Sequence, residues 1–538
     1  MPCVMSTKIK GSVIMSKLTR REFIKTMSLA TLAISMPINV FAADNCTVKT
    51  RYGTFNGFVD EKGVKTWLGI PYAQPPVGKL RWQAPQPLKP TNKTFDAKKF
   101  GATAIQNINP QEDSSKNQQS EDCLTLNIWR RGEKKNLPVM MFIHGGSFVG
   151  GGAGDPLYNG KNIASSDDVV IVTINYRLNI FGFMNFGAID SAFEDTGYLG
   201  IKDQIAALRW INENIAEFGG NPDNVTVFGE SAGSISTCLL TVIPEAKNFF
   251  KKAIPESATS AMYNKPEYTA KLAEMFMEMS GTRKMSDLLK KSTDEIRNTY
   301  EKLSEIREFK HSSDYLPTCD GKFLPLDPFK ALKDGGARGI KLLTGTTADE
   351  WNYFLLYNEN YFEMLRDGNQ EKISPAIRHY KERTSHTPEE IYKKWLNGRP
   401  DNKENYNSFV NQVDWRVGQE LAAEYQSKFA DVYFYLFSEP SPPPLEHLRS
   451  CHSIELPYVF DVPDEHIAPK IDSNFSREIQ ASWTSFAANG NPNNEFIPHW
   501  EKYSVNNRQT MELNSKGCVC HKDLNTDNLN ALRYVYED

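Results

Sequence analysis

Short apolar runs bounded by polar or glycine residues recur along the middle and the last third of the chain. They are four to eight residues long and rich in β-branched or aromatic side chains, which is typical of strands that are buried on both faces. Each run is therefore predicted to be a β-strand. The clearest of them are 138–143, 169–176, 225–228, 341–344 and 432–437.

Helix-like stretches alternate with these predicted strands. Apolar residues recur at helical spacing over 203–218, and residues 261–311 are charged and helix-rich, as in an insertion near an active site. Strands that are apolar on both faces and separated by helices indicate an α/β fold, with a mostly parallel sheet covered by helices on both sides and helical insertions over the active site. Because no internal repeat is visible, residues 43–538 are predicted to form a single domain.

The first 42 residues have a different pattern. The stretch Thr19–Lys25 contains two adjacent arginines, an apolar run follows over 27–40, and small residues end it. A basic region, a short apolar region and a small-residue cleavage site together describe an export signal. The apolar run is shorter than the roughly 18 residues that span a bilayer, so no stable membrane span is predicted. We expect residues 1–42 to be a twin-arginine signal peptide that is removed, and the mature protein to be periplasmic or secreted.

Composition and charge exclude some classes of protein. The chain has 538 residues, of which 40% are hydrophobic and 24% charged, an ordinary globular composition that excludes a disordered chain. The formal net charge is −4, although residues 1–42 carry six of the lysines and arginines and only one acidic residue. The remaining body is mildly acidic and poorly suited to bind phosphate backbones, so nucleic acid is not expected as a partner.

The cysteines predict neither a disulfide framework nor a metal site. Eight cysteines occur, of which seven follow residue 42, and their odd number and loose spacing argue against a framework of bridges. The segment 518–521, with sequence Cys-Val-Cys-His, could bind a metal, but no second pair of ligands lies nearby. Cys518 and Cys520 are therefore interpreted as surface thiols, and no metal is expected.

A candidate nucleophile follows the predicted strand at 225–228. Residues 229–233 read Gly-Glu-Ser-Ala-Gly and precede a helix-compatible stretch. In a G-x-S-x-G elbow the strand turns sharply into a helix and leaves the serine exposed at the tip of the turn. The pentapeptide alone is a weak signal, but between a strand and a helix it is strong. Ser231 is therefore predicted to be the nucleophile.

A serine nucleophile needs a base, and the base needs an acid to orient it. In a fold with this elbow the order along the chain is serine, acid, histidine, so the base should come late. His452 is the best candidate, since it follows the apolar run 432–437 and a proline-rich loop. Asp349 and Glu350 both follow the strand at 341–344, at the end of the strand where active sites of open α/β sheets form. Spacing alone does not decide between these two acids.

Backbone N–H groups must also stabilise the negative charge that develops on the substrate oxygen. Ala232, directly after the nucleophile, is one expected donor. The loop 144–148, which reads His-Gly-Gly-Ser-Phe after a strand, can supply others because its small residues allow close approach. The glycine-rich stretch 150–154 lacks the Lys-Ser/Thr ending of a nucleotide-binding P-loop, which argues against a phosphate site.

Many of these motifs occur together in known proteins, and they follow one another here in the same order as in one protein family. The sequence resembles the type-B carboxylesterases, the family that includes the cholinesterases, from about residue 48 to residue 503. This resemblance implies an α/β-hydrolase fold, serine-dependent ester hydrolysis and no cofactor. The motifs that carry it are 69–73, 120–124, 144–148, 175–177 with 182–183, 218–222, 229–233, 320–321 with 324–325, the Glu350 and His452 segments, and 483–492.

The resemblance also implies roles for single residues. It selects Glu350 rather than Asp349 as the acid, and it places Glu230 near the site. It assigns three oxyanion donors and one residue that shapes their loop: Gly146, Ser147 and Ala232, with Gly145.

Two positions depart from the family pattern. Ser147 stands where the family usually has glycine or alanine, so its hydroxyl can alter the oxyanion hole although its N–H remains. Cys123 matches a family cysteine whose disulfide partner should lie near 101–106, where no cysteine occurs. That disulfide is not expected.

The expected function is that of a serine carboxylesterase, which hydrolyses small-molecule esters through an acyl-enzyme on Ser231. The competing hypothesis is a catalytically silent binding or adhesion protein of the same fold, which typically lacks a triad member, whereas Ser231, Glu350 and His452 are all present. Among enzymes, amidase, lactonase and thioesterase activities stay open because the same machinery attacks other acyl groups. The sequence does not predict the oligomeric state.

Overall fold

Two β-sheets organise the described part of the chain. In this computed structural model, residues 46–107, 118–258, 263–306, 313–356, 360, 363, 384 and 386–537 are described. The strands are β1 Thr47–Thr50, β2 Gly53–Asn56, β3 Phe58–Val59, β4 Val64–Pro71, β5 Thr94–Asp96, β6 Thr125–Arg131, β7 Leu137–Ile143, β8 Val170–Ile174, β9 Gly220–Glu230, β10 Lys252–Glu256, β11 Lys341–Thr347, β12 Val432–Phe437, β13 Gln509–Leu513 and β14 Val519–Lys522. The unit that contains all of them, Cys46–Asp538, is compact.

The larger sheet is mixed, with a parallel centre and antiparallel ends. Its strand order is β14-β13-β12-β11-β10-β9-β7-β8-β6-β4-β3, and β1, β2 and β5 form a separate three-stranded sheet. All neighbours from β8 to β13 are parallel. Antiparallel pairs close the two ends of the sheet. The predicted α/β fold with a mostly parallel sheet is confirmed, and the antiparallel strands at its ends are the part that the apolar runs did not predict.

Helices connect and cover the strands. The α-helices are α1 Lys161–Ser166, α2 Asn179–Gly182, α3 Leu199–Asn214, α4 Ala232–Val242, α5 Pro266–Met279, α6 Met285–Leu288, α7 Thr293–Ile306, α8 Pro328–Lys333, α9 Pro388–Leu396, α10 Lys403–Asn411, α11 Val417–Gln426, α12 Leu456–Phe460, α13 Ser473–Asn489, α14 Thr526–Leu532 and α15 Tyr534–Glu537. A π-helix, Gln412–Arg416, joins α10 to α11. Three helices, α5 to α7, occupy the segment predicted to be a helical insertion.

Strand β7 shows why its apolar run is continuous. Successive side chains of a strand point to opposite faces of the sheet. Val139 and Met141 belong to the core that also contains Leu239 of α4. Met140 and Phe142 belong to the core on the other face, which contains side chains of α13. Because both faces are buried, neither set of positions can be polar.

The parallel arrangement brings distant segments to one edge of the sheet. Strand β9 ends at Glu230, directly before the candidate nucleophile, and its neighbour β10 ends at Glu256. Strand β11 ends at Thr347, three residues before Glu350. Since the carboxyl ends of parallel strands meet at the same edge, residues that are more than 100 positions apart in sequence become neighbours there.

Candidate active site

Ser231 lies in the turn between β9 and α4. It is the residue before the first turn of α4 and has φ +56° and ψ −120°, a conformation that a non-glycine residue adopts only at a cost of about 1–3 kcal/mol. Its N–H donates a hydrogen bond of 3.1 Å to the backbone carbonyl of Glu256 at the end of β10. The strained turn is therefore held by the neighbouring strand.

Gly233, the last residue of the pentapeptide, must be glycine because helix and sheet pack closely there. A Cβ atom on Gly233 would lie 1.9 Å from the carbonyl oxygen of Ile143, the last residue of β7. No side chain fits at that distance, so α4 can pack this closely on the sheet only with glycine at this position. The close approach of the helix to β7 brings Ser231 next to the loop that follows β7.

That loop carries the predicted oxyanion donors. Gly146 has φ +95°, and a Cβ atom there would lie 2.3 Å from the carbonyl oxygen of Gly150. Ser147 has φ +54°, so the residue that departs from the family pattern adopts a left-handed conformation. A Cβ atom on Gly145 would lie 3.1 Å from the Cβ of Ser231. The loop therefore runs beside the candidate nucleophile, and Ala232, the remaining predicted donor, directly follows Ser231 as the first residue of α4.

His452 and Glu350 are in direct contact. The Nδ1 atom of His452 lies 2.6 Å from Oε2 of Glu350, and both side chains are buried. The other carboxylate oxygen of Glu350 accepts a hydrogen bond of 2.8 Å from the backbone N–H of Thr347. The N–H of His452 also donates to the Glu350 carbonyl, at 3.2 Å. These contacts fix both the position and the ring orientation of the histidine.

Asp349, the acid that spacing could not separate from Glu350, points elsewhere. Its carboxylate lies 3.5 Å from the guanidinium of Arg449. Burial raises the pKa of Asp349, and the charge of Arg449 opposes that rise. In the described part of the chain its carboxylate does not reach the His452 ring, so the geometry distinguishes the two adjacent acids.

The second ring nitrogen of His452 faces Glu230. The distance from Nε2 to Oε1 of Glu230 is 2.9 Å, and the Ser453 hydroxyl donates to the same oxygen at 2.6 Å. The imidazole is thus held between two carboxylates. Because Glu230 directly precedes Ser231, this contact also brings the ring next to the elbow, although within the described residues the Ser231 hydroxyl makes no hydrogen bond to it.

The two carboxylates determine the protonation of His452. Burial disfavours the charged imidazolium, but the negative charges of Glu230 and Glu350 and their hydrogen bonds outweigh burial and raise the pKa of His452 well above its usual range. Among the described residues, aromatic rings lie close to the imidazole: Trp415 at 4.6 Å, Tyr353 at 6.0 Å and Phe354 at 6.4 Å between ring centroids. The site therefore stabilises a positive charge on this ring inside an aromatic enclosure.

Sequence reasoning missed several of these neighbours. Nothing in the spacing of Trp415, Ser453 or Glu256 linked them to Ser231, since each is brought to the site by a different element. The position of Glu256 in the sequence was the only available signal. A carboxylate at the last position of an apolar strand next to β9 lies at the same edge of the sheet as Ser231. A surface cleft of about 670 Å³, lined in part by Lys49, Arg51 and Glu213, contains none of the site residues.

The cysteines and possible metal ligands differ in part from expectation. Cys518 is only 7% exposed and its thiol contacts the Glu478 carboxylate, so the prediction that it is a surface thiol is wrong. The Nε2 atom of His521, the third possible metal ligand in the segment 518–521, lies 2.9 Å from Oε2 of Glu512. Over the described ranges, no group of three or more His, Cys, Asp or Glu side chains is arranged to hold a metal ion. Cys123 is a buried free thiol.

Among the helices that the structure describes, none combines the length and the apolar character needed to cross a bilayer. The predicted signal peptide, residues 1–42, lies outside the described residues.

The chain is similar to known proteins along most of its length. The model of the carboxylesterase family matches residues 44–532. The para-nitrobenzyl esterase of Bacillus subtilis (strain 168) is 36% identical over 490 residues, which cover 87% of this chain and 95% of the relative. The cocaine esterase of Homo sapiens is 32% identical over 496 residues, covering 85% of each chain. In three dimensions, the structure of a carboxylesterase of Geobacillus stearothermophilus is similar with a TM-score of 0.78 and 33% identity, covering 90% of this chain and all of the other.

The family match spans nearly the whole chain, and the relatives are matched over most of their own length. The central sheet, the elbow and the buried His452–Glu350 contact occur in the part of the chain that the match covers. The chain therefore belongs to the carboxylesterase family, has the α/β-hydrolase fold and is a carboxylic ester hydrolase.

Proposed function

We propose that the protein hydrolyses carboxylic esters through an acyl-enzyme on Ser231, with Glu350 and His452 completing a catalytic triad. The contact that best supports this proposal is the buried imidazole, held by Glu350 on one nitrogen and beside the elbow on the other. In its neutral form, with no proton on Nε2, the ring can accept the proton of a serine hydroxyl as that hydroxyl attacks, and the two carboxylates then stabilise the imidazolium that forms.

In the first half of the reaction, His452 takes the proton of the Ser231 hydroxyl through Nε2 while the serine oxygen bonds to the ester carbonyl carbon. Nε2 faces Glu230 in the structure, so the serine hydroxyl must come into contact with Nε2 when substrate is bound, as is common for catalytic hydrogen bonds. Glu350 keeps the proton of the ring on Nδ1 and stabilises the imidazolium. His452 then donates its proton to the leaving alcohol, which yields the acyl-enzyme.

In the second half, water replaces the serine hydroxyl as the nucleophile. His452 takes its proton, the acyl–oxygen bond to Ser231 breaks, and the serine oxygen receives the proton back. The N–H groups of Gly146, Ser147 and Ala232 are proposed to bind the carbonyl oxygen in both tetrahedral intermediates, and loss of one such donor costs about 100-fold or more in kcat. Gly145 keeps their loop close to Ser231.

The proposed substrates are small-molecule esters. Two relatives, a para-nitrobenzyl esterase and a cocaine esterase, are named after esters that carry an aromatic group. The aromatic rings of Trp415, Tyr353 and Phe354 around His452 suit such groups. A series of p-nitrophenyl and naphthyl esters with graded acyl length measures the acyl preference directly.

Labelling with a fluorophosphonate probe tests the nucleophile. The wild-type chain should gain one covalent adduct at Ser231, and Ser231→Ala should gain none, as measured by intact-protein and peptide mass spectrometry. Ser234→Ala is the matched control, because Ser234 lies one turn further along α4, is fully buried and should remain dispensable for labelling. Normal labelling of Ser231→Ala would overturn the assignment and favour a different nucleophile.

We also propose that the chain is exported by the twin-arginine route. The adjacent arginines Arg20 and Arg21 before an apolar run support this proposal. Replacing both with lysine should retain the unprocessed chain in the cytoplasm of an expressing bacterium, as measured by cell fractionation. Unchanged export of that variant would contradict the twin-arginine route and leave the esterase proposal intact.

A further inference from the structure

The π-helix Gln412–Arg416 contacts both the proposed base and the C-terminal helix α15. One of its residues, Trp415, packs on the His452 ring with 4.6 Å between ring centroids. Another, Val413, accepts a hydrogen bond on its backbone carbonyl from the hydroxyl of Tyr536 in α15. All four residues are buried. Since π-helical segments are rare and often occur at functional sites, this connection needs an explanation.

The hydrogen bonds of the π-helix show why a donor from outside stabilises it. In an α-helix the N–H of Val417 would donate to the carbonyl four positions back, at Val413. Here it donates to the carbonyl of Gln412, five positions back. The Val413 carbonyl thus loses its α-helical donor, and the Tyr536 hydroxyl donates to it instead. Because a buried carbonyl without a donor is costly, this hydroxyl favours the π-helical register over the α-helical one.

The register of this segment determines which side chain faces His452. One residue corresponds to a rotation of about 100° about a helix axis, so a change from π-helix to α-helix would turn Trp415 away from the imidazole. The indole N–H of Trp415 is buried and has no hydrogen-bond partner in the described part of the chain. The position of the Trp415 ring therefore depends on packing and on the backbone that carries it.

Two further contacts hold the segment between the sheet and α15. The Arg416 guanidinium donates to the Tyr435 carbonyl of β12 at 3.4 Å and to the Glu420 carboxylate at 3.0 Å. A Cβ atom on Gly418 would lie 3.1 Å from Cε1 and 3.2 Å from the hydroxyl oxygen of Tyr536. The start of α11 therefore lies directly against Tyr536, while Arg416 fixes the same segment to the sheet.

Trp415 can act on His452 in two ways. Its ring covers part of the buried imidazole and so excludes water from it. Its π-electrons attract the positive charge that forms on the imidazole when His452 accepts a proton. Both effects require the ring to stay close to His452.

We propose that Tyr536 is a positioning residue for His452: its hydroxyl stabilises the π-helical register of 412–416, and this register holds Trp415 against the imidazole. The inference rests on the proposed role of His452 as the base of the esterase. It assigns a function in catalysis to a helix that contributes no residue to the proposed triad or oxyanion hole.

Hydrogen exchange followed by mass spectrometry tests the structural half of this proposal. Tyr536→Phe keeps the ring and removes the hydroxyl, so the amide hydrogens of 412–418 should exchange roughly 5-fold faster or more. Tyr425→Phe is the matched control, because the Tyr425 hydroxyl donates to Glu537 of the same helix rather than to the π-helix. Unchanged exchange in Tyr536→Phe, or an equal increase in both variants, overturns the proposal.

A double-mutant cycle tests the catalytic half. Tyr536→Phe should lower kcat by roughly 3- to 10-fold with KM within about 2-fold of the wild type, and Tyr425→Phe should leave both unchanged. Trp415→Leu should lower kcat by roughly 10-fold. Adding Tyr536→Phe to Trp415→Leu should then cause no further loss, because Tyr536 acts through Trp415. Losses that multiply, or a kcat that Tyr536→Phe leaves unchanged, overturn the proposal.

A substitution on the helix side of the contact keeps the test decisive if Trp415→Leu does not fold. Gly418→Ala adds a methyl group against Tyr536 and keeps every side chain that the proposal uses. It should lower kcat several-fold and speed exchange over 412–418, although alanine has the higher helix propensity. Unchanged kcat and exchange in this variant overturn the proposal.

Failure of this inference differs from failure of the proposed function. If Ser231 is not the nucleophile, fluorophosphonate labelling shows it, and the exchange data stand because they need no turnover. If Tyr536 does not position His452, labelling of Ser231 persists and Tyr536→Phe behaves like Tyr425→Phe in both measurements.

Discussion

Two histidines, His144 and His452, are buried on neighbouring loops of the same site, with 1% and 4% of their surface exposed. Their pKa values move in opposite directions. Burial lowers the pKa of His144 to about 4, while a hydrogen bond with the Gly145 carbonyl opposes that shift. The pKa of His452 is raised because two carboxylates outweigh an equally complete burial. Burial alone therefore does not decide whether a histidine is a base; the neighbouring charges do.

The surroundings of His144 explain the contrast. Its ring stacks on Tyr176 with 4.5 Å between centroids, and its Nδ1 lies 2.8 Å from the Gly145 carbonyl. Its own backbone carbonyl accepts a hydrogen bond of 2.9 Å from the Tyr176 hydroxyl. Among the described residues no carboxylate forms an ion pair with it. His144 is thus neutral near pH 7 and packs within the loop that is proposed to carry the oxyanion donors.

From the difference between the two histidines we expect the largest loss of kcat in His452→Gln. Removing the base should lower kcat by roughly 10⁴-fold or more, because neither Ser231 nor water is activated without it. His144→Gln should cost at most about 100-fold, the scale of one displaced oxyanion donor. Steady-state kinetics on a p-nitrophenyl ester measure both. Equal losses in the two variants would contradict the division of roles.

The second largest expected effect on kcat comes from substituting Glu350, the carboxylate that contacts Nδ1 of His452. Glu350→Gln should lower kcat by roughly 10³- to 10⁴-fold, because the ring loses the partner that holds its proton on Nδ1. The residual activity should also persist to lower pH, since one of the charges that raises the pKa of His452 is gone.

Asp349→Asn is the matched control for this substitution. It changes the adjacent carboxylate, which pairs with Arg449 rather than with the ring. We expect kcat within a few-fold of the wild type and an unmoved pH profile. If Asp349→Asn were as damaging as Glu350→Gln, the acid would have to be reassigned.

The sequence predicts the parts of this site whose residues are close together along the chain, and it does not predict the contacts between distant residues. The elbow is predictable because strand, turn and helix lie within a few residues, and the glycine pattern follows from local packing. The pairing of His452 with Glu350 spans 102 positions, and no periodicity reports it; only the resemblance to a family selected Glu350 over Asp349. The contact of His452 with Glu230 depends on side-chain packing across three elements, which a sequence pattern does not encode.

The fold follows the same rule. The buried parallel strands are predictable because both of their faces must be apolar, as in β7 and β8. The antiparallel strands β13 and β14 are short and carry polar side chains, so their pattern did not stand out. The prediction of Cys518 as a surface thiol was wrong for a related reason, since Cys518 is buried by tertiary packing in a core that contains side chains of β13 and α13.

The opposite pKa shifts also predict opposite effects of pH on folding. For His144 the folded pKa of about 4 lies below the unfolded value near 6.5, so the unfolded chain binds the proton first as the pH falls. The stability that depends on neutral His144 is therefore complete above about pH 6.5 and is lost as the pH falls towards 4. A shift of this size corresponds to about 3 kcal/mol. For His452 the raised pKa has the reverse sign, so its contribution is complete below pH 6.5 and is lost as the pH rises through the folded pKa.

Chemical denaturation at pH 7 and pH 4.5 measures the His144 contribution. His144→Gln should lose less stability between the two pH values than the wild type does, by up to about 3 kcal/mol. His447→Gln, which changes an exposed histidine, should leave the wild-type difference unaltered. An unchanged pH dependence in His144→Gln would mean that the folded chain binds a proton on this ring as readily as the unfolded chain does, so that its pKa is not lowered by folding.

The smallest expected effect on activity concerns the hydrogen bond that the Glu230 carboxylate accepts from Ser453. The Ser453 hydroxyl donates to the same oxygen of Glu230 that faces Nε2 of His452. Ser453→Ala removes this donor, so the charge of Glu230 falls more fully on the imidazolium and the pKa of His452 should rise further. We expect the acid side of the kcat/KM profile to move up by a few tenths of a unit.

The accompanying loss in kcat/KM at neutral pH should be only about 3- to 10-fold, since one neutral hydrogen bond is removed from a group that stays buried. Ser453→Thr keeps the hydroxyl and is the control for the altered backbone, because residue 453 has φ +69° and a β-branched side chain adds strain without removing the donor. A profile that moves in Ser453→Thr but not in Ser453→Ala would show that backbone strain, rather than the hydrogen bond to Glu230, adjusts the base. In that case the charges of Glu230 and Glu350 would still distinguish His452 from His144, and the Ser453 hydroxyl would not adjust them.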